Sequence, residues 1–181
     1  MDRRMLIRPL LGLALLSTGT LAGAFGYGAA NLVPTFDAVP LAMRLSFHAE
    51  LMKMNGITMQ AAMAVSALSA LALAVLGRGT VRRIAAGAGL LALASFLITR
   101  LGNVPINGRI KEWAVSAAPA DHAAILDRWE AFNYARTGTA FAAFLLLIVL
   151  ALCHRHRAAT SLSGTPSPAG RSPRSARQPA A

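Results

Sequence analysis

Trp129, Asn133, Arg136 and Ala140 recur at intervals of four, three and four residues. That spacing puts them on one face of a helix. The stretch DHAAILDRWEAFNYARTGTAF reads as one helix running from a polar loop straight into an apolar run. A helix entering lipid turns Asn133 and Arg136 toward the bundle or a wet cavity. A guanidinium beside hydrocarbon is the strongest local pointer to a site; the plainer reading is an arginine snorkelling to the interface. Upstream, NVPINGRIKEW sets Asn103 and Asn107 around Pro105 and leads on to Trp113. Taken alone this is a helix stop, the proline ending the helix and the amides satisfying the freed backbone groups. Trp113 and Trp129 also fit an aromatic belt at a membrane surface. His48, Glu50 and His122 fall on the same side as these residues and would be metal ligands if they met, but their spacing matches no ligand pattern. No metal site is assigned.

The elements that must position these residues are membrane spans. The chain has 181 residues, 55% hydrophobic and 14% charged, against about a quarter charged in soluble domains. No charge interrupts Pro9 to Phe36 or Met54 to Gly77, and a membrane helix needs about 20 mostly apolar residues. Two shorter runs, Ile84 to Thr99 and Thr137 to Cys153, are flanked by basic residues whose stems can lie along lipid. The expectation is an all-α, integral membrane four-helix bundle with short amphipathic helices in its two outer loops. In the first outer loop, residues 31–55, two prolines break the chain. The pattern LAMRLSFHAELMKM then suits such a helix, with Leu41, Leu45, His48 and Met52 on one face. Met52, Met54, Met59 and Met63 read as flexible packing.

Net charge is +11, yet the basic residues sit at the edges of apolar runs, so they signal topology rather than nucleic acid. Arg3, Arg4, Arg8, Arg78, Arg82, Arg83, Arg155 and Arg157 share one side, while six of the seven acids lie on the other. The positive-inside rule makes both termini cytoplasmic, in a plasma or inner membrane. Residues 1–8 form a cytoplasmic N-terminus, 9–157 the four-span domain and 158–181 a basic tail, rich in Ser, Pro and Ala, expected to be disordered. Ala22-Gly23-Ala24 has the small residues of a signal-peptidase site, but the apolar run continues to Val33, so the first span is expected to be retained. Gly19, Gly23, Gly26 and Gly28 allow close helix approach, taken here as packing inside the bundle rather than dimerisation. A single cysteine, Cys153, excludes an internal disulfide and any cysteine-rich metal site. No span has a mid-membrane ionisable residue, which argues against a transporter.

Asn103-Val104-Pro105-Ile106-Asn107, then Trp113, then Trp129-x-x-x-Asn133-x-x-Arg136 before an apolar final span, resembles the anthrone oxygenase family of small four-span membrane proteins. The likeness covers roughly residues 9–153 and leaves out the tail. It implies cofactor-independent oxidation of a small aromatic or phenolic substrate by molecular oxygen, as in conversion of an anthrone to an anthraquinone. An anthrone carries an acidic CH whose anion reacts with oxygen directly. The protein then supplies a base, a stabiliser for the anion and an apolar pocket, and no metal or other cofactor is obligatory. On this reading Arg136 and Asn133, with Asn103 and Asn107, stabilise a phenolate or enolate as preorganised donors. Trp113 and Trp129 flank the aromatic substrate. His48 is the candidate base, because an imidazole titrates near neutrality. Asp37 is a weaker one, since a carboxylate reaches that range only when desolvated. The alternative is a non-catalytic membrane protein, a helix-bundle scaffold or partner subunit, distinguished by the absence of a small-molecule pocket between its spans.

Overall fold

The computed structural model describes residues 3–163, with side chains over 5–153. Among these residues the chain is helical, in four long rods. The first joins α1 (Arg3–Tyr27), a π-helical turn (Gly28–Leu32) and α2 (Val33–Ala38). The second is α3 (Leu41–Leu76). The third joins α4 (Thr80–Ile98), a second π-helical turn (Thr99–Asn103) and α5 (Val104–Trp113), and the fourth is α6 (His122–Ser163). All four are long and apolar enough to cross a membrane. Each packs on the next in chain order and α6 closes back on α1, an up-down-up-down bundle. Its outward face is apolar, with Leu16, Leu68, Val75, Leu90 and Leu145 all exposed. Soluble bundles turn such residues inward; a protein in lipid does not need to.

Prolines behave differently from the expectation. Pro34 and Pro105 do not stop their helices. A proline removes one N–H and its ring clashes with the carbonyl four residues back. In both rods a widened turn just upstream relieves that clash. Val33 N–H donates to Gly28 O, and Val104 N–H donates to Thr99 O, each five residues back. Asn103 accordingly caps nothing with its side chain. The break falls instead at Val39, extended at φ −110° and ψ 156° as residues before a proline tend to be, so that Pro40 caps α3. The reversal between α3 and α4 uses Gly79 at φ +56°, a conformation that favours glycine. We call the Pro34/Pro105 end the proline end and the other the turn end.

The helix beginning at Leu41 is not a separate surface element. Nothing between Met52 and Met63 breaks it apart from Gly56, which a helix tolerates, so it runs directly into the second span. The helix of the second loop, α5, likewise continues α4 through the π turn. The glycines of α1 serve the bundle itself. A Cβ on Gly19 would meet the Phe144 ring at 2.9 Å, and one on Gly26 would meet Phe141 at 2.9 Å, both on α6. At its far end α6 stays helical to Ser163, six residues into the stretch expected to be disordered, and 164–181 lie outside the described residues.

The core is layered. Toward the turn end Ala14, Ala70, Leu73, Ala74, Ala85, Ala88, Leu147 and Leu150 pack together. A middle layer holds Leu21, Ala22, Phe25, Met63 and Ala140. The proline end is filled by Val33, Phe36, Leu45, Ile106, Ile110, Trp113, Ile125, Leu126 and Trp129.

Candidate active site

Between the middle layer and the proline-end cluster lies a cavity of about 680 Å³. Its walls come from α1 and α2 (Thr20, Gly23, Ala24, Phe25, Tyr27, Gly28, Leu32, Phe36), from α3 (His48, Leu51, Met52, Asn55, Gly56, Met59, Gln60, Met63), from the third rod (Thr99, Val104, Asn107) and from α6 (Trp129, Asn133, Arg136). Both π turns border it. One i→i+5 turn rotates everything beyond it relative to a regular helix, so it determines where Phe36 and Asn107 point.

The face read from the sequence of α6 is the face that meets the cavity. Asn133 Oδ1 accepts from Arg136 Nε at 3.1 Å and from Nη2 at 2.6 Å. The guanidinium lies over the Phe25 ring, 4.4 Å from its centroid, which holds the charge inward rather than out at the interface. No carboxylate pairs with Arg136 among the described residues, and its Nη1 makes no hydrogen bond there. Asn133 Nδ2 is buried and also unpartnered. Two donors are thus left over beside a cavity. That arrangement suits an anionic oxygen.

His48 is fully buried. Its ring stacks on Phe36 (5.0 Å, 7° between planes) and meets the edge of Trp129 at 4.6 Å. Neither ring nitrogen has a hydrogen-bond partner among the described residues, and Asn107 lines the same cavity. Asn107 itself accepts from Trp129 Nε1 at 2.7 Å, which fixes the indole.

Asn103 and Trp113 are not in the lining. Asn103 is buried behind it, its Nδ2 donating to Trp129 O at 2.9 Å, so it braces α6 against the second π turn. Trp113 sits in the proline-end cluster with Arg109 over its ring at 5.2 Å. Both tryptophans are buried rather than lipid-facing, so neither forms an aromatic belt. Asp37 also lies off the cavity, half-exposed and bonded to Arg44. Glu50 pairs with Lys53 at the surface and His122 Nδ1 lies 2.8 Å from Pro119 O, so the three residues considered as metal ligands do not converge.

Two features had no signal in the sequence. Arg44 is buried, with Nη1 on Asp37 Oδ1 and Nη2 on Glu130 Oε1, each at 2.7 Å. This clamp ties α2, α3 and α6 together one helical turn from His48. Phe25 and Phe36 are the other feature: each supports a polar group (Arg136 and His48), and nothing but the fold brings them there.

A family model described as anthrone oxygenase matches residues 23–146, the stretch that contains every cavity residue except Thr20. No curated protein and no solved structure matches the chain.

Proposed function

The chain belongs to the anthrone oxygenase family, and on that premise we propose that the cavity binds a small aromatic or phenolic substrate with an acidic CH and promotes its oxidation by molecular oxygen. The observation that carries this reading is the Arg136–Asn133 couple, stacked on Phe25 and paired with no carboxylate among the described residues, at the wall of a mostly apolar space. The same space weighs against a purely structural bundle, which has no use for a cavity or for an uncompensated charge.

The steps follow from the side chains. The ring carbonyl of the substrate points at Arg136 Nη1 and Asn133 Nδ2. Neutral His48 takes a proton from the CH, and the electron pair moves onto that carbonyl oxygen as an enolate, where the two donors stabilise it. Oxygen accepts electrons from the enolate carbon, a C–O bond forms, and protonation gives a hydroperoxide. Loss of the second CH proton with cleavage of the O–O bond leaves a quinone carbonyl and releases one water. One dioxygen is consumed for each quinone and water formed. Trp129 and Phe36 offer faces on which an aromatic substrate can lie.

In the bilayer we place the proline end on the side opposite the cytoplasm, because the turn end carries Arg78, Arg82 and Arg83. The test is oxygen uptake by detergent-solubilised protein with dithranol as substrate, corrected for autoxidation. Quinone formation that requires both Arg136 and Asn133 supports the reading. Rates equal to buffer from a folded preparation remove this substrate class.

A further inference from the structure

Access to the cavity is unequal around its walls. At the proline end Val33, Phe36 and Trp129 are each almost fully buried, and the Arg44 clamp lies above them. Among the described residues this roof is closely packed over the aromatic side of the cavity. On the side between α1 and α3 the wall is thin. Gly23, Ala24 and Tyr27 line the cavity and are also exposed at the surface. A Cβ built on Gly23, Gly28 or Gly56 meets nothing within 4 Å, so these glycines border open space. Gly19 and Gly26 on the same helix differ, being filled by Phe144 and Phe141.

The surroundings of this seam are uncharged and mostly apolar, with Thr20, Asn55 and Gln60 as the polar residues of the lining beside it. Met54 and Ile57 beside it are exposed at 74% and 80%. Its residues fall within the charge-free stretches 9–36 and 54–77. Lys53 and Glu50, exposed and paired with each other, lie about a turn beyond, where the charged zone begins. What meets the seam is therefore acyl chain rather than water.

We infer that the cavity is filled from the bilayer, through the α1–α3 seam bordered by Gly23, Gly28 and Gly56, and that it takes a flat, membrane-partitioned aromatic with its anionic oxygen turned to Arg136. The shape follows from the glycines, whose missing side chains leave a gap between the first rod and α3. This deepens the reading of the cavity as a substrate site and rests on it, but the test does not require turnover.

The experiment uses Trp129 as reporter in a Trp113→Phe background, reconstituted in phosphatidylcholine vesicles with acyl chains brominated near their middle. Where Trp113→Phe costs folding, wild type and Trp129→Phe give the same signal by difference. Bromolipid is expected to quench Trp129 strongly and aqueous acrylamide weakly. Gly23→Leu and Gly56→Leu should reduce the bromolipid quenching several-fold. Leucine has high helix propensity and finds room at both positions, so these variants keep the bundle. Gly12→Leu, equally open but away from the cavity, should quench like wild type. Strong acrylamide quenching, or bromolipid quenching unchanged in both seam variants, overturns the lateral route. Oxygen uptake with dithranol added to the same vesicles separates the two proposals: unchanged quenching with normal turnover rejects the seam alone, whereas a leucine-sensitive seam without turnover rejects only the oxidation.

Discussion

The two ends of the bundle solve the same packing problem in opposite ways. Toward the turn end, alanines from α1, α3 and α4 bring backbones close, and a Cβ on Gly89 would meet Leu71 at 2.7 Å and its backbone nitrogen at 3.1 Å. Without a hydrophobic drive between helices in lipid, such small-residue contact is what holds spans together. The proline end fills its core with Phe36, Trp113, Trp129 and β-branched residues, and its close approach, Gly102 on the Phe132 ring, is to an aromatic side chain rather than to a neighbouring backbone. Both π turns lie in that half, as do Arg44, His48, Asn103 and Asn133, four of the five buried side chains with an unsatisfied atom among the described residues; the fifth, Thr18, lies on α1. One end supplies rigidity. The other holds a cavity and, in its wall, His48 and Asn133 with side-chain atoms that no other described group satisfies.

That contrast can be broken at named residues. The largest expected effect is on turnover: Arg136→Ala should lower quinone formation by about 100-fold or more, the usual cost of removing a preorganised oxyanion donor. Oxygen uptake measures it, and a rate within a few-fold of wild type would remove Arg136 from the site. Next is the clamp. Arg44→Ala leaves Glu130 partly buried without its cation, and we expect a loss of about 2–3 kcal/mol in unfolding free energy. Asp37→Asn, at the half-exposed arm of the same clamp, should cost under about 1 kcal/mol. Denaturant unfolding in detergent ranks the two, and equal losses would mean that Asp37, not Glu130, anchors Arg44.

Glycine-to-leucine changes at the turn end and at the cavity wall should differ in cost. Gly89→Leu overpacks the α3–α4 contact and should destabilise by about 1–3 kcal/mol. Gly23→Leu enters open space and should change stability by no more than about 0.5 kcal/mol. Thermal unfolding in one detergent decides it; equal losses would mean that the α1–α3 seam is as tightly packed as the turn end. The smallest effect concerns the tryptophans. Trp129→Phe should raise KM for an aromatic substrate, whereas Trp113→Phe should leave KM unchanged, because only Trp129 lines the cavity.

Much of this was decided by the chain alone. Long charge-free runs can be satisfied only as spans, since every backbone polar group in hydrocarbon must bond within its own helix. The four helices and their order therefore follow from composition. The Trp129–Asn133–Arg136 face also follows, because residues on one helix have a fixed angular relation whatever surrounds them. The prolines show where that logic stops. Locally Pro34 and Pro105 are helix stops, and it is the π turns at Gly28–Leu32 and Thr99–Asn103, with tertiary contacts such as Asn103 on Trp129 O, that carry the rods through them. Trp113 and Trp129 are alike in type and context and share one core cluster, yet only the tertiary packing puts Trp129 at the cavity wall as well. His48 on Phe36, Arg136 on Phe25, and Arg44 between Asp37 and Glu130 join residues up to 111 positions apart. Periodicity along one helix says which way a side chain faces. It cannot say what stands opposite, and the site is made of those meetings between helices.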